Sequence, residues 1–414
     1  MTPLLSAKGG DVTTWRAVEN FVSAYRQKLL DRAASDRIDN AETVFLEAGA
    51  AVETAIAAHR ELLNRLHALI EEVAGESQNT TSKVLKELAV AFYGDLYRHF
   101  GLFRSAPAFY QLSMAFLRQA VTTIFARAAD QLGQDSHELP EMALIAVGPA
   151  GRAEYSPFCP LQILLVHGEA AGSQLQTIDR FCHSLHAGFE AAGLAIDPVI
   201  TPRTPAWRGT LTEWRQRCGE GLHPHSDDEL IDLCRLVDQQ TLFTGDGSDR
   251  KLKQTIRAAL NGNRPAVAHL VNRMASLSNG LGLMGRLKLE RSGSNRGLFR
   301  LLDHGLLPLT AALSALALLK ESAGVSTCDR IHDLLRRGEL DVELAERMLA
   351  TWHCLNDLRL QREHSIQIEG HAGPSSFLDP DELTAEQLQS LKEALESVAS
   401  IQRHVEIIFS GMGE

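Results

Sequence analysis

The chain has 414 residues, 44% of them hydrophobic and 22% charged, with 31 glycines and 14 prolines. That length exceeds the roughly 250–300 residues at which one core stops growing, so two or three domains are expected, and the composition excludes disorder, collagen and low complexity. A net charge of -11 argues against holding duplex nucleic acid through bulk electrostatics.

Trp15 opens a first helical stretch that runs to about residue 33. Phe45, Ala48, Val52, Ile56, His59, Leu63, Leu66 and Ile70 then recur at spacings of three and four, and Val84, Leu88, Phe92, Leu96 and Phe100 form a second such stripe. Each spacing predicts an amphipathic helix, and with a further helix over about 109–129 the expectation is a helical N-terminal domain over residues 1–135.

After the polar, turn-like segment 131–140 the period changes from helical to extended. Residues 142–147 and 161–166 read as two buried strands, adjacent in one sheet, with a Gly- and Pro-punctuated loop between them. Ser173-x-x-Gln176 has the form of a capping box before a helix reaching Ala192; residues 194–200 supply a third extended piece, and Thr210-x-x-Glu213 caps another helix. Strand, loop, strand, helix, strand predicts a central mixed sheet with helices over residues 136–249. Residues 250–414 read as a helical C-terminal domain, with a hairpin predicted at 284–302 and a last helix opened by Thr384-x-x-Gln387. The fold class expected is therefore α+β.

The longest apolar run, 306–319, is interrupted by Pro308 and Thr310 and falls short of the about 20 residues of a bilayer span. Residues 1–10 lack the basic n-region of a signal peptide. The expectation is a cytoplasmic protein with no membrane partner. Cys159, Cys182, Cys218, Cys234, Cys328 and Cys354 form no C-x-x-C pair, which fits reduced thiols rather than a disulfide frame or a zinc knuckle.

The chemistry concentrates in Gly148-Pro149-Ala150-Gly151-Arg152-Ala153-Glu154-Tyr155-Ser156-Pro157, followed by Cys159-Pro160-Leu161-Gln162. This segment resembles the entry to the nucleotidyltransferase fold of PII-uridylyltransferases, glutamine-synthetase adenylyltransferases and a related nucleotidyltransferase family of unassigned function. There a strand runs into a glycine pair, then G-R-x-E, then an Asp-x-Asp that opens the next strand. Trp207, Glu213-Trp214-Arg215, Asp238, Gly245-Asp246, Asp329-Arg330 and the stretch 355–362 resemble later pieces of the same family, over about residues 136–414. The resemblance implies a nucleotide site at Gly148, Gly151 and Arg152, with Mg²⁺ and a nucleoside triphosphate as cofactors in an active member.

The pattern breaks at the metal ligands. Nucleotidyl transfer uses divalent ions held by carboxylates, whereas the Asp-x-Asp positions fall on Pro160 and Gln162, and Pro149 replaces a residue whose N–H could meet a phosphate. A third acidic position falls on Asp197. The expectation is a catalytically impaired member of the superfamily, with no confident metal site, working as a regulatory or protein-binding module through its helical domains. The alternative is an active metal-dependent nucleotidyltransferase modifying a protein acceptor, with Glu154, Asp197 and Asp238 as substitute ligands. Two readings of the surviving residues stay open: a tight turn closed by an Arg152–Glu154 ion pair, or a retained nucleotide site in which Arg152 meets a phosphate bidentately.

Three other clusters gather ligand-type or charged residues. His332-Asp333, with His304, Asp341 and Asp357, invites comparison with metal-dependent HD phosphohydrolases, but the signal is one dipeptide and a surface pair on a capped helix explains it far better. Arg286, Lys288, Arg291, Arg296 and Arg300 make a basic turn that reads mainly as a solvated face. His223, His225, Asp227 and Asp228 crowd a polar loop without the spacing of a preorganised metal site.

Overall fold

The computed structural model describes residues 41–75, 82–221, 235–244, 247–261 and 264–411. The stretch from Trp15, the His223–Asp228 loop, Cys234 and the Gly245-Asp246 pair lie outside the described residues.

Three long helices come first: α1 (Ala41–Gly75), α2 (Ser82–Phe103) and α3 (Ala106–Asp130). Leu88, Phe92, Leu96 and Phe100 of α2 are buried, as the stripe requires, while Val84 is partly buried and its neighbour Leu85 fully so. Phe92 stacks on Phe116 of α3 with ring centroids 4.2 Å apart. Among the described residues before 130 all secondary structure is helical.

Strand β1 (Met142–Val147), the single-turn helix α4 (Gly148–Gly151) and β2 (Ile163–His167) follow, then α5 (Ser173–Ala191), β3 (Arg208–Gly209), α6 (Leu211–Gly221), β4 (Gln239–Thr244) and α7 (Ser248–Asn261). The sheet order is β3-β2-β1-β4. β1 pairs antiparallel with β2 and with β4, and β2 pairs parallel with β3. Every residue of β1 and β2 is buried, which is why both read as unbroken apolar runs. The predicted strands are thus neighbours in one sheet.

Phe125 of α3 stacks on Phe243 of β4 at 4.0 Å and meets Phe181 of α5 at 4.9 Å. One aromatic therefore joins the long helices, the sheet and the helix after β2. Two sequence expectations are corrected here. Ser173 is the first residue of α5 rather than its cap; the cap is Gly172 at φ 58, with no side-chain cap bond. The third extended piece is one parallel bridge, Leu161 to Ile196, because the Val199 N–H, next in register, turns to the Asp197 side chain instead of continuing the ladder. The strand that does pair beside β2 is the short β3.

The remainder comprises α8 (Arg264–Ala275), β5 (Phe299–Arg300), a π-turn at Leu302–Leu306 running into α9 (Leu307–Leu319), α10 (Thr327–Arg336), α11 (Val342–Gln367), β6 (Phe377–Leu378) and α12 (Ala385–Gly411). Asp329 and Ser326 close a capping box on α10. The boxes at Thr210/Glu213 and Thr384/Gln387 form as predicted, with both reciprocal bonds present. The hairpin predicted at 284–302 is reduced to a closed turn: Glu290 N–H bonds Leu298 O and Gly297 N–H bonds Glu290 O, at 2.9 Å each. The two arms meet at one antiparallel bridge, Leu289 to Phe299, and the second arm also pairs with β6. Proline did not interrupt the apolar run: the π-turn absorbs Pro308, and Leu302–Leu319 is continuously helical with mean hydropathy 1.5 and 61% of it buried. Among the described residues it is the one helix long and apolar enough to cross a membrane, and it packs against α8, α10 and α12.

Candidate functional site

The corner where β1 ends and β2 begins is built by Gly148. It sits at φ 62, and a side chain there would collide with the Gln162 amide oxygen; only glycine accepts both conditions. Gln162 Nε2 donates to Asp197 Oδ2 at 3.0 Å, and Asp197 Oδ1 accepts the backbone N–H groups of Val199 and Ile200, both at 2.9 Å. The fold thus brings Gly148, Gln162 and Asp197 together. Burial works to raise the Asp197 pKa, but the Ile200 N–H, the Gln162 amide and the Val199 N–H outweigh it and hold the carboxyl below its ordinary value.

The other predicted residues form a second cluster. Gly151 lies so close to the backbone carbonyl of Asp238 that a Cβ would strike it, so α4 is pressed against the start of β4. Arg152 Nε donates to Glu154 Oε2 at 3.1 Å and its NH1 donates to Asp238 Oδ2 at 2.6 Å. Asp238 Oδ1 accepts from Arg330 NH1 at 2.6 Å and from Ser314 Oγ at 2.8 Å. Glu154 Oε1 accepts from Trp352 Nε1 at 3.0 Å and from the Thr327 N–H at 3.4 Å. The expected Arg152–Glu154 pair is present, but it is one edge of a buried network reaching α9, α10 and α11. Burial alone would lower the pKa of Arg152, yet Asp238 and Glu154 hold it above the ordinary arginine value. Burial would raise Asp238, and Arg330 and Arg152 pull it below the ordinary carboxylate range.

A third set was not anticipated from the sequence. Ser156 is fully buried; its Oγ donates to Glu363 Oε1 at 3.0 Å and accepts from Arg359 NH2 at 2.7 Å. Arg359 Nε donates to Glu363 Oε1 at 2.9 Å, and Tyr97 of α2 donates to Glu363 Oε2 at 2.7 Å. Tyr110 of α3 donates to Asn356 Oδ1 at 2.7 Å. The signal was available: Trp352, Asn356, Arg359 and Glu363 fall at spacings of four, three and four, one polar stripe along a helix whose exposure the apolar pattern did not require.

These side chains do not fit a Mg²⁺ ion of the kind the superfamily uses. Mg²⁺ asks for oxygen ligands in near-octahedral array, usually with one or two carboxylates. Pro160 has no side-chain oxygen; Gln162 turns its amide nitrogen toward Asp197; and Asp197 already accepts three hydrogen bonds. Glu154 and Asp238 are committed to Arg152, Arg330 and Trp352. Among the described residues no three His, Cys, Asp or Glu side chains stand where they could share a metal. That also disposes of the HD comparison: Asp333 accepts from Ser322 and the Ala323 N–H, and Asp341 caps α11.

A four-stranded sheet whose first strand enters a glycine turn against the opening of the second, with Asp197 beside it, is the arrangement that the resemblance to nucleotidyltransferases implies. Comparison with protein families agrees. Residues 97–228 match the family described as "Putative nucleotidyltransferase DUF294", and residues 264–409 match its companion, described as "Putative nucleotidyltransferase substrate binding domain". Together the two matches support a nucleotidyltransferase-like family for the chain. A search of curated proteins finds no match to it.

Proposed function

We propose that this chain is a catalytically impaired member of the nucleotidyltransferase superfamily, similar in its Gly148–Pro157 loop to PII-uridylyltransferase, and that it works in the cytoplasm as a regulatory, protein-binding module. The observation that carries the reading is the bond from the Gln162 amide to Asp197 beside Pro160, in the corner where relatives need carboxylates for two ions. Each ion neutralises charge that builds at the transferring phosphoryl group, and a neutral amide with a proline offers nothing comparable. Arg152, the residue best suited to grip a phosphate, is held on both sides by carboxylates and only 12% exposed, so a nucleotide has to compete with Asp238 for it. The helical C-terminal part, which in the family carries the description of substrate binding, is the partner-facing surface in this reading.

Calorimetric titration with ATP, UTP, GTP and CTP, with and without Mg²⁺, tests it. The expected outcome is weak binding that Mg²⁺ does not strengthen. Tight binding of one nucleotide only in the presence of Mg²⁺ contradicts the reading and favours an active enzyme with a protein acceptor.

A further inference from the structure

The richest unassigned feature is a cleft along the free edge of the sheet, away from the Gly148 corner. Its inner chamber, about 120 Å³, lies between β4, α7 and the α9–α10 turn, with Lys253, Arg257 and Arg330 in its wall beside Gly324. An outer chamber of about 440 Å³ shares Gln239, Lys253 and Val325 with it and adds Arg118, Arg250 and Asp249. Lys253 and Arg257 stand one turn apart on the same face of α7.

The buried arginines of the loop are held by carboxylates, whereas the described contacts of Arg257 and Arg118 are to neutral oxygens. Lys253 sits below its ordinary pKa through burial first and then through Arg257 and Arg330. Arg257 donates to the Ser322 carbonyl at 3.0 Å. Arg118, exposed at the surface, reaches the side-chain oxygen of Gln240. Arg330 is the exception, satisfied by Asp238. Two acids share the cleft: Glu321, exposed at the rim, and Asp249, whose Oδ2 accepts from Thr241 at 2.6 Å while its buried Oδ1 meets no donor. Gathering like charges in a half-enclosed space is unfavourable unless an anion joins them. The inner chamber has room for a compact polyatomic ion or several waters.

We propose that this cleft binds a phosphate-bearing metabolite, its anionic group held by Lys253 and Arg257 in the inner chamber and a hydroxyl or amino donor of the same molecule meeting Asp249 in the outer one. The source is either free inorganic phosphate or a small phosphate ester. The site is separate from the Gly148 corner, so it stands or falls independently of nucleotide binding there.

The test is titration calorimetry of the full chain with inorganic phosphate and with glycerol 3-phosphate, repeated for Lys253→Met and Arg257→Met after circular dichroism confirms that each is folded. The expected result is saturable binding that weakens at least about tenfold in either variant, as loss of a charge-assisted contact requires. Tighter binding of glycerol 3-phosphate assigns the outer chamber to the rest of an ester; equal binding assigns the site to the free ion. Ligand-free Lys253→Met is also expected to melt no lower than wild type, because it relieves repulsion from Arg257 and Arg330. Absence of saturable binding for both probes, or affinity unchanged in both variants, overturns the proposal.

Discussion

Arg152 satisfies two carboxylates at once, and Asp238 satisfies two arginines. Removing one partner from such a buried set leaves the other charge without compensation, at a cost of about 3–5 kcal/mol. Asp238→Ala is therefore expected to lower stability by that amount in chemical denaturation, whereas Arg257→Met, outside the network, is expected to change it by less than about 1 kcal/mol. Because the folded-state pKa of Asp238 is depressed, its contribution is present above the ordinary carboxylate pKa and is lost as pH falls below about 4. His99 behaves oppositely in charge but similarly in direction. Buried and bonded to His59 at 3.1 Å, it is pushed down to about 4, first by burial and then by His59. The unfolded chain takes up that proton near pH 6.5 and the folded one does not, so stability falls as pH drops from about 6.5 to 4, by about 2 kcal/mol at pH 5. Denaturant melts of His99→Gln against wild type at pH 7 and pH 5 check this; an equal loss in both proteins contradicts it.

At the scale of elements, the turn after β1 decides how closely the sheet approaches the C-terminal helices. Gly151→Ala forces a methyl onto the Asp238 carbonyl and is expected to destabilise by about 1–3 kcal/mol, measured by the shift in denaturation midpoint. The two central strands were legible because β1 and β2 are buried on both faces and bounded by glycine and proline. The capping boxes at Thr210 and Thr384 were legible because the motif is local. Ser173 matched the same motif and failed, since Gly172 in a left-handed conformation had already turned the chain. The hairpin formed only as its turn and the single bridge from Leu289 to Phe299, because Phe299–Arg300 pairs also with Phe377–Leu378, and no local pattern reports a partner that distant. Within the site, Gly148, Asp197 and the Arg152–Glu154 pair were visible as residue types. The roles of Asp238, Arg330, Trp352, Arg359 and Glu363 in closing the network were not, because they depend on long-range packing of α9, α10 and α11.

For the whole molecule, the segment from Gly148 to Cys159 is a buried polar hub rather than an open active-site loop. It bonds to α2 through Tyr97 and Glu363, to α10 through the Thr327 N–H, and to α11 through Trp352 and Arg359. Such ties couple the described parts, and a single cooperative unfolding transition by fluorescence and by circular dichroism is the expected outcome. Ser156→Ala, which leaves Arg359 and Glu363 short of a partner, is expected to lower that one transition by about 1–3 kcal/mol rather than split it. The same commitment of residues to structure is the basis of the proposed loss of transferase activity. The most direct measurement is incorporation of label from each of the four α-labelled nucleoside triphosphates into protein, by wild type and by the Pro160→Asp, Gln162→Asp double variant, with Mg²⁺ and with EDTA. The account predicts no transfer by wild type under any condition, with Mg²⁺-dependent nucleotide binding gained only in the double variant. Wild-type transfer that EDTA abolishes would contradict it.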